Sequence, residues 1–179
     1  MGRANQQERL LLTEEAKWFL GGFIEGEGAL TVSIKAHPTA RFGYYVDPEF
    51  FIYQHVSGRP LLELAREVFQ TGRIYPKPGN PTVLVYAITS RRSLVEKVIP
   101  FFERYVALLS CKRETFERFR EIVEMMERKD HLNSGGLISI VEKAYAMNPA
   151  SKGRERLRTF QEVRERILRG HTPDISVLR

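Results

Sequence analysis

Residues 18–28 read WFLGGFIEGEG, and the other predicted elements are arranged around this stretch. Thr13 precedes two glutamates and can cap a helix, which the apolar residues predict to extend over 13–26. Glycines interrupt this predicted helix, and each costs about 1 kcal/mol relative to alanine. Gly22 and Gly26 are four residues apart, so they share one helix face and would let another backbone approach closely.

Two carboxylates follow at the end of the same helix. Glu25 and Glu27 alternate with glycines over residues 25–28. The partial negative charge at a helix C-terminus opposes a carboxylate there, so this placement is poor for stability. It suits a cation site instead, because divalent cations such as Mg²⁺ prefer carboxylate oxygens.

The length and charge of the chain set its general class. Its 179 residues suit one domain or two small lobes, and the net charge of +6 favours an anionic partner such as nucleic acid. A basic enzyme with no nucleic-acid partner is the alternative on charge alone. The single cysteine, Cys111, excludes a disulfide framework and a Cys-based zinc site within one chain.

We expect neither a membrane span nor a secretory signal. No apolar run reaches the ~18–20 residues that cross a membrane. Residues 1–15 also lack the apolar segment of a signal peptide. The sequence therefore predicts a protein that is not secreted and acts in the bacterial cytoplasm or inside an organelle, such as a chloroplast or a mitochondrion.

The chain after Gly28 alternates in the manner of half-buried strands. Strands are predicted at 29–35, 44–56, 73–77 and 82–89, with turns at 37–41 and 78–81. We expect Asp47-Pro48 to interrupt the second strand. A helix that starts at Pro60 and ends at Gly72 separates the two strand pairs.

The chain after the fourth predicted strand shows mostly helical periodicity. A helix capped by Ser90 or Ser93 is expected to kink or restart at Pro100. Further helices are predicted at 112–128, 137–147 and 154–169, before a mobile or docking tail at 171–179. The order αββαββα, with a helical extension, predicts an α+β fold in which helices back a four-stranded antiparallel sheet. The expected divisions are a flexible N-terminus at 1–8, the main domain at 9–150 and the extension and tail at 151–179.

A sheet that helices cover on one side leaves its other face exposed. By strand parity that face carries polar, basic and aromatic side chains: Thr31, Ser33, Lys35, Glu49, Phe51, Tyr53, Arg73, Tyr75 and Lys77. His37 and Arg41 of the first turn extend this set. Such residues can contact base edges and phosphates in a DNA groove. A merely solvated sheet face is the alternative.

Residues 20–28, LGGFIEGEG, resemble the nine-residue signature of the LAGLIDADG homing endonuclease family. The sequence matches it outright at Leu20, Gly22, Ile24 and Gly28. Gly stands for Ala at 21 and 26, Phe for Leu at 23, and Glu for Asp at 25 and 27. The predicted element order is also that of the family. Further similar stretches lie at 50–55, 109–113, 131–137 and 146–148, so the resemblance covers about 10–150.

The resemblance implies the single-motif type, which acts as a homodimer. Residues 136–140 share some of the apolar character of the motif but lack its alternating acids and glycines. The candidate interface residues are Trp18, Gly21, Gly22, Glu25 and Gly26. Because a two-fold protein offers the same surface twice, its DNA target is expected to be approximately palindromic.

The resemblance also implies an intron-encoded enzyme that hydrolyses both strands of double-stranded DNA with a metal. Glu27 and the Gly26 carbonyl would hold Mg²⁺, and Mn²⁺ or Ca²⁺ can occupy the same sites. Gln54 would position a water molecule and Lys112 would stabilise negative charge, with Arg113 as a second basic candidate. Glu25 is expected to be structural. Glu in place of the usual Asp at 27 is one methylene longer, so the metal position would shift or the backbone would adjust, and activity is expected to survive.

Three other functions stay open at this point. A maturase of the same fold would bind its host intron RNA and assist splicing, alone or as a second activity. A non-catalytic DNA-binding regulator should have lost the acids, and the retention of Glu27 argues against it. A generic α+β binding domain is the third alternative, in case the resemblance is accidental.

Overall fold

Helix α1, Glu14–Glu27, contains the glycine-rich stretch and begins at a side-chain cap. Thr13 Oγ1 accepts a hydrogen bond from the Ala16 N–H at 3.2 Å, and so satisfies one of the donors that the first helical turn leaves unpaired. The helix changes directly into a strand at Gly28. The helix predicted over 13–26 is thus confirmed in this computed structural model, which describes residues 13–106, 112–147 and 157–170.

Four strands form one antiparallel sheet. They are β1 Gly28–Ala36, β2 Tyr44–His55, β3 Arg73–Lys77 and β4 Asn80–Ile88. Their order across the sheet is β1-β2-β4-β3, and β4 pairs antiparallel with both β2 and β3. Helix α2, Arg59–Phe69, separates the two strand pairs along the chain. With the helices that follow β4, the predicted α+β class and its αββαββα order are confirmed.

Strand β2 runs through Asp47 and Pro48 without a break, so the prediction that this dipeptide interrupts it is wrong. Proline lacks the N–H that a strand donates to its neighbour. The register of β2 with β4 begins only at Phe50, opposite Ile88. Pro48 therefore removes no hydrogen bond from this ladder.

Helix α2 ends before the glycine that was predicted to stop it. Gln70 takes a left-handed conformation, with φ of 50°, and its N–H donates to the Arg66 carbonyl oxygen at 2.8 Å. Gly72 lies in the following turn, with φ of 88°, and a Cβ there would lie 2.6 Å from the Tyr86 ring. The glycine is needed for the turn into β3 and not for the helix end.

A continuous helical run follows β4. It consists of α3 Arg91–Ser93, a π-helical turn Leu94–Val98 and α4 Ile99–Tyr105. Of the two predicted caps, Ser90 is the one used, since its hydroxyl accepts the Ser93 N–H. The irregularity predicted at Pro100 takes the form of the π turn just before it, in which the Ile99 N–H donates to the Leu94 carbonyl.

The later helices are α5 Arg113–Glu127, α6 Ser134–Met147 and α7 Phe160–Leu168. Helix α6 begins before its predicted start at 137, because the Asn133 side chain accepts the Gly136 N–H at 2.7 Å and caps the first turn. Thr159 caps helix α7 and exchanges hydrogen bonds with Glu162 in a capping box. Four predictions lie outside the described residues: the flexible residues 1–8, the boundary at 150, the helix start at 154 and the tail 171–179.

The chain divides into two compact units, Met1–Leu30 with Glu49–Phe116 and Thr31–Pro48 with Glu117–Arg179. Aromatic rings fill the core of the first unit, where the Phe50 ring centroid lies 5.6 Å from that of Phe69 and 5.5 Å from that of Phe102. In the second unit α6 and α7 pack on each other. Its buried side chains include Val32, Val46, Phe119, Ile122, Leu137, Ile140, Val141, Val163 and Ile167. Each unit therefore has a hydrophobic core of its own.

Gly21 lies on the buried side of α1, against the end of α4. A Cβ at this position would collide with the Tyr105 carbonyl oxygen and lie 3.1 Å from the Tyr105 Cβ. Gly21→Ala is therefore expected to lower the free energy of unfolding by about 2 kcal/mol, since overpacking costs about 1–3 kcal/mol and helix propensity returns only about 1. Urea unfolding followed by circular dichroism measures the change. An unfolding free energy equal to or above that of the wild type would contradict this account of Gly21.

Candidate active site and nucleic-acid interface

The candidate catalytic acid, Glu27, is the last residue of α1, and its side chain is exposed. Gly28 follows as the first residue of β1 and is buried. A Cβ at Gly28 would lie 2.6 Å from the Ile24 carbonyl oxygen, so only glycine lets the chain pass from helix to strand at this point. Glu27 is therefore held at a fixed junction between two regular elements.

Lys112 is brought to the same end of α1. Its Nζ donates a hydrogen bond to the Glu25 carbonyl oxygen, 87 residues away in sequence. The carbonyls of a last helical turn have no acceptor role within the helix, and the helix dipole attracts a cation there. Two of the three predicted catalytic residues, Glu27 and Lys112, thus lie at one helix end.

The contacts of Gln54, the third predicted catalytic residue, are local to the end of β2. Its Oε1 accepts the His55 N–H at 2.8 Å. Its side chain also leaves no room for a Cβ on Gly58. Gln54 stands opposite the buried Leu84 in the register and shares the parity of the buried Phe50, so it belongs to the helix-covered side of the sheet and not to the outward one. The predicted catalytic role of Gln54, to position a water molecule, stays a prediction.

The donors at the end of α1 fit a hard cation. Glu27 offers carboxylate oxygens, Gly26 offers a carbonyl oxygen of the last turn, and the helix end adds partial negative charge. Within 13–106, 112–147 and 157–170, no group of three or more His, Cys, Asp and Glu side chains could hold a metal ion. Among the described residues, a metal at Glu27 would find the Gly26 carbonyl as a second ligand, and Mg²⁺ usually keeps several water molecules besides its protein ligands.

One face of α1 is exposed and apolar. The side chains of Trp18 and Phe19 are 50% and 58% exposed. The Trp18 ring touches its own chain edge-on at Tyr105, at 5.1 Å between centroids. On the same face a Cβ at Gly22 or Gly26 would meet nothing within 4 Å. The predicted interface glycines therefore differ, because Gly21 is required by its own chain while Gly22 and Gly26 are not.

In the first unit, the outward side of the sheet carries the predicted basic and aromatic residues. In the register, Tyr53 and Tyr75 both stand opposite Val85, with β4 between their strands, and Arg73 stands opposite Ala87. The Lys77 ammonium lies 5.4 Å from the Tyr53 ring centroid. Burial raises the pKa of the Tyr53 hydroxyl, which therefore stays a neutral hydrogen-bond donor at physiological pH.

The remaining predicted residues of this side are Glu49 and Phe51 on β2, both half-buried. Phe51 stands opposite Ala87 and packs near Tyr53, with 6.0 Å between ring centroids. An open cleft of about 610 Å³ adjoins β3 and is lined by Arg66, Arg73 and Tyr75 among others. The outward side of this unit thus combines cations with flat apolar surface, which suits a nucleic acid.

In the second unit, the turn between β1 and β2 holds a local hydrogen-bond network. The Thr39 N–H donates to His37 Nδ1 at 3.3 Å, and the Thr39 hydroxyl lies 3.0 Å from the Tyr45 hydroxyl. The Arg41 guanidinium lies 5.4 Å from the Phe42 ring centroid.

On the strands of this unit, Thr31 and Ser33 are half-buried and Lys35 is exposed. Lys35 Nζ lies 2.9 Å from the Asp47 carboxylate. Asp47 was not among the predicted DNA-contacting residues, because the dipeptide Asp47-Pro48 was predicted to interrupt β2. The alternation of β2, in which Val46 and Pro48 are buried, carried the signal that could have found it.

None of the described helices is long and apolar enough to cross a membrane.

Comparison with known proteins agrees with this geometry. The family model described as LAGLIDADG endonuclease matches residues 20–123. DNA endonuclease I-CeuI of Chlamydomonas moewusii is 43% identical over 136 residues, which make up 75% of this chain and 62% of that relative. The chain thus spans less than two thirds of the length of this relative.

Two solved structures have the same fold. The group I intron-encoded homing endonuclease I-CeuI, complexed with DNA, gives a TM-score of 0.82 at 37% identity and covers 87% of this chain and 77% of that one. The archaeal intron-encoded homing endonuclease I-Vdi141I, also complexed with DNA, gives a TM-score of 0.80 at 33% identity and covers 87% of this chain and 96% of that one. The motif at the end of α1, the sheet that follows it and these matches lead to one conclusion: the chain belongs to the LAGLIDADG endonuclease family.

Proposed function

We propose that this protein is a site-specific homing endonuclease, a homodimer that hydrolyses both strands of a near-palindromic double-stranded DNA site with Mg²⁺. The observation that carries the proposal is the position of Lys112, whose ammonium binds the last turn of α1 beside the exposed Glu27. A carboxylate and a cation at one point suit phosphodiester chemistry, in which an anionic substrate gains further charge in the transition state. The family and its DNA-bound relatives support this assignment.

Glu27 and the Gly26 carbonyl would hold the metal ion. When bound, Mg²⁺ neutralises charge on the phosphate and activates water for attack. Mn²⁺ and Ca²⁺ share the preference for oxygen ligands and would compete for the same position. The longer Glu27 side chain changes the reach of the carboxylate, so the preference among these ions is a property to measure.

The other catalytic assignments follow from charge and hydrogen-bonding capacity. Lys112, anchored on the Glu25 carbonyl, would stabilise the negative charge that develops on the phosphate, and the adjacent Arg113 is a second source of positive charge. The amide of Gln54 would orient the attacking water through hydrogen bonds. Glu25 would act through its backbone, as the anchor of Lys112.

A second copy of the chain would complete the site. The exposed face of α1 with Trp18, Gly22 and Gly26 would pack against the same face of a partner across a two-fold axis. Close approach at the glycines would bring two Glu27 carboxylates together, one for each DNA strand. This arrangement would explain why α1 keeps glycines that its own fold does not need.

The DNA target would lie against the outward side of the sheet strands. In the first unit the contacts would come from Glu49, Phe51, Tyr53, Arg73, Tyr75 and Lys77. In the second they would come from Thr31, Ser33, Lys35, His37 and Arg41. The protein would act where its host intron and target DNA lie, in a bacterial cytoplasm or an organelle. Intron RNA as a further partner stays a prediction, since no described contact favours it.

Selection of cleaved sites from a random DNA library tests the proposal. We expect the wild-type protein with Mg²⁺ to enrich one long, near-palindromic sequence, and EDTA to abolish the enrichment. Double-strand cleavage of the selected site should depend on both half-sites. Enrichment by binding with no cleavage under Mg²⁺ or Mn²⁺ would instead identify a non-catalytic regulator.

Lys77→Ala is expected to weaken binding of the selected site and to lower the slope of log affinity against log salt by about one. The reason is that one cation would no longer displace a counterion from the DNA. Fluorescence anisotropy at several salt concentrations measures the slope. Arg92→Ala is the matched control, since Arg92 is an exposed cation of α3, outside the strands, and pairs with Glu96 of the π-helical turn. Equal slopes of log affinity against log salt for the wild type and both variants would show that Lys77 does not contact the DNA.

Tyr75→Ala is the companion variant for base preference. Loss of its ring from β3 should relax the selected sequence at one or two positions in each half-site. An unchanged selection for both Tyr75→Ala and Lys77→Ala would mean that β3 does not read the DNA.

A further inference from the structure

An acidic residue lies on the outward side of the sheet in the second unit, where a DNA-binding surface should avoid it. Asp47 alternates with the buried Val46 and Pro48 on β2, and Lys35 alternates with the half-buried Ile34 near the end of β1. The Lys35 ammonium and the Asp47 carboxylate meet at 2.9 Å. Their side chains stay 56% and 43% exposed, so both have room for another partner.

Stability does not account for this ion pair. An exposed pair of this kind contributes little to folding, because solvent screens it and ordering two side chains costs entropy. A carboxylate on a DNA-facing surface also repels the phosphates and weakens non-specific binding. The presence of Asp47 beside a candidate DNA contact is therefore explained best by a hydrogen bond that it accepts from the DNA.

The major-groove edge of a base pair has a matching arrangement. In a G·C pair the guanine O6 accepts and the cytosine N4 donates, and these two atoms are about 2.9 Å apart because they are hydrogen-bonded to each other. Lys35 offers the donor and Asp47 the acceptor at the same separation. We propose that Lys35 and Asp47 read one G·C base pair together, with Lys35 on guanine and Asp47 on cytosine, in the DNA complex on which the proposed function rests.

An A·T pair fits the same two side chains less well. Guanine presents N7 beside O6, so Lys35 finds two acceptors on one base. At adenine the N7 acceptor lies beside the N6 donor and would repel the Asp47 carboxylate. At thymine the methyl group lies beside O4 and crowds the ammonium. The ion pair thus distinguishes G·C from A·T, and its direction distinguishes G·C from C·G.

Asp47→Ala tests the proposal in a binding selection from a random DNA library with Ca²⁺, analysed in parallel with the wild type. We expect the wild type to prefer G·C at one position of each half-site, and the variant to lose that preference about ten-fold or more while all other positions keep theirs. Binding of the variant to unrelated DNA should become tighter, because a carboxylate is removed. A merely structural pair would weaken both kinds of binding or neither.

Glu121→Ala is the matched control. Glu121 pairs with Lys143 at 2.6 Å in the same unit, at comparable exposure, and its loss removes the same charge from a helix. It should leave the selected sequence unchanged. A wild-type preference that survives Asp47→Ala would overturn the proposal while leaving the proposed function intact. A wild type that enriches no sequence would overturn both.

The exchanged pair, Lys35→Asp with Asp47→Lys, gives a second and opposite readout. It restores an ion pair but reverses the positions of donor and acceptor, so the preferred base pair should change from G·C to C·G at the same position. A variant with the wild-type preference would show that only the ion pair itself matters, and would overturn the proposal.

Discussion

Glu27→Gln is expected to lower the rate of DNA cleavage about a hundred- to a thousand-fold, and to leave the affinity for the uncleaved site nearly unchanged. The amide keeps the size of the side chain but loses the charge that would hold Mg²⁺. Glu27 is exposed at the end of α1 and packs into no core, so its replacement should not disturb the fold. Single-turnover cleavage with Mg²⁺, together with anisotropy in Ca²⁺, separates the two effects.

Glu15→Gln is the matched control for this variant. Glu15 is an exposed acid of the first turn of the same helix, and its loss should cost only the small favourable interaction with the helix dipole. Glu27→Asp supplies a second comparison, since it restores the acid of the family signature. It should stay active, with a changed ratio of rates in Mg²⁺ and Mn²⁺. Cleavage by Glu27→Gln at the wild-type rate would show that Glu27 is not a metal ligand.

Gly22→Leu is expected to convert the proposed dimer into a monomer at micromolar concentration and to abolish double-strand cleavage with it. A side chain at this position meets nothing within its own chain, so the fold of the protomer should persist. Across a two-fold axis the same side chain would intrude twice. At about 1–3 kcal/mol for each intrusion, the dissociation constant should rise about thirty-fold or more. Analytical ultracentrifugation over a concentration series measures it.

Gly135→Leu provides the control for added bulk. Gly135 is an exposed glycine of another helix, α6, where a Cβ would make only an ordinary contact with Asn133 Oδ1 at 3.6 Å. It should leave the dimer intact. Gly21→Ala serves as a further comparison, because that variant should lower the free energy of unfolding of the single protomer. A wild type that sediments as a monomer at these concentrations would refute the dimer itself.

Local signals explain why much of the fold was predicted. The Thr13 cap and the alternation over 29–35 depend only on neighbours in sequence, and both gave elements within a residue or two of the observed bounds. The predictions were wrong where the structure depends on more than neighbouring residues in the sequence. Pro48 fits within β2 because the hydrogen-bonded ladder with β4 begins beyond it, at Phe50. Helix α2 ends at Gln70 because this residue takes a left-handed conformation, which no local sequence pattern predicts.

The candidate site divides in the same way. Resemblance to a known motif named Glu27, Gln54 and Lys112, but the anchoring of Lys112 on the Glu25 carbonyl joins residues 87 positions apart and had no local signal. Gly22 and Gly26 were predicted to share one helix face, but Gly21 was also assigned to the predicted interface. Only their surroundings separate Gly21, which its own chain requires, from Gly22, which it does not.

The direct passage from α1 into β1 restricts how this protein can acquire a new target. With Gly28 as both the end of the helix and the start of the strand, there is no loop to absorb a change in length. One inserted residue would exchange the faces of the strand and turn Leu30 and Val32 outward. On the proposed function, a change of DNA site next to Gly28 would therefore come from point substitutions at outward positions of β1 and not from an insertion at this junction.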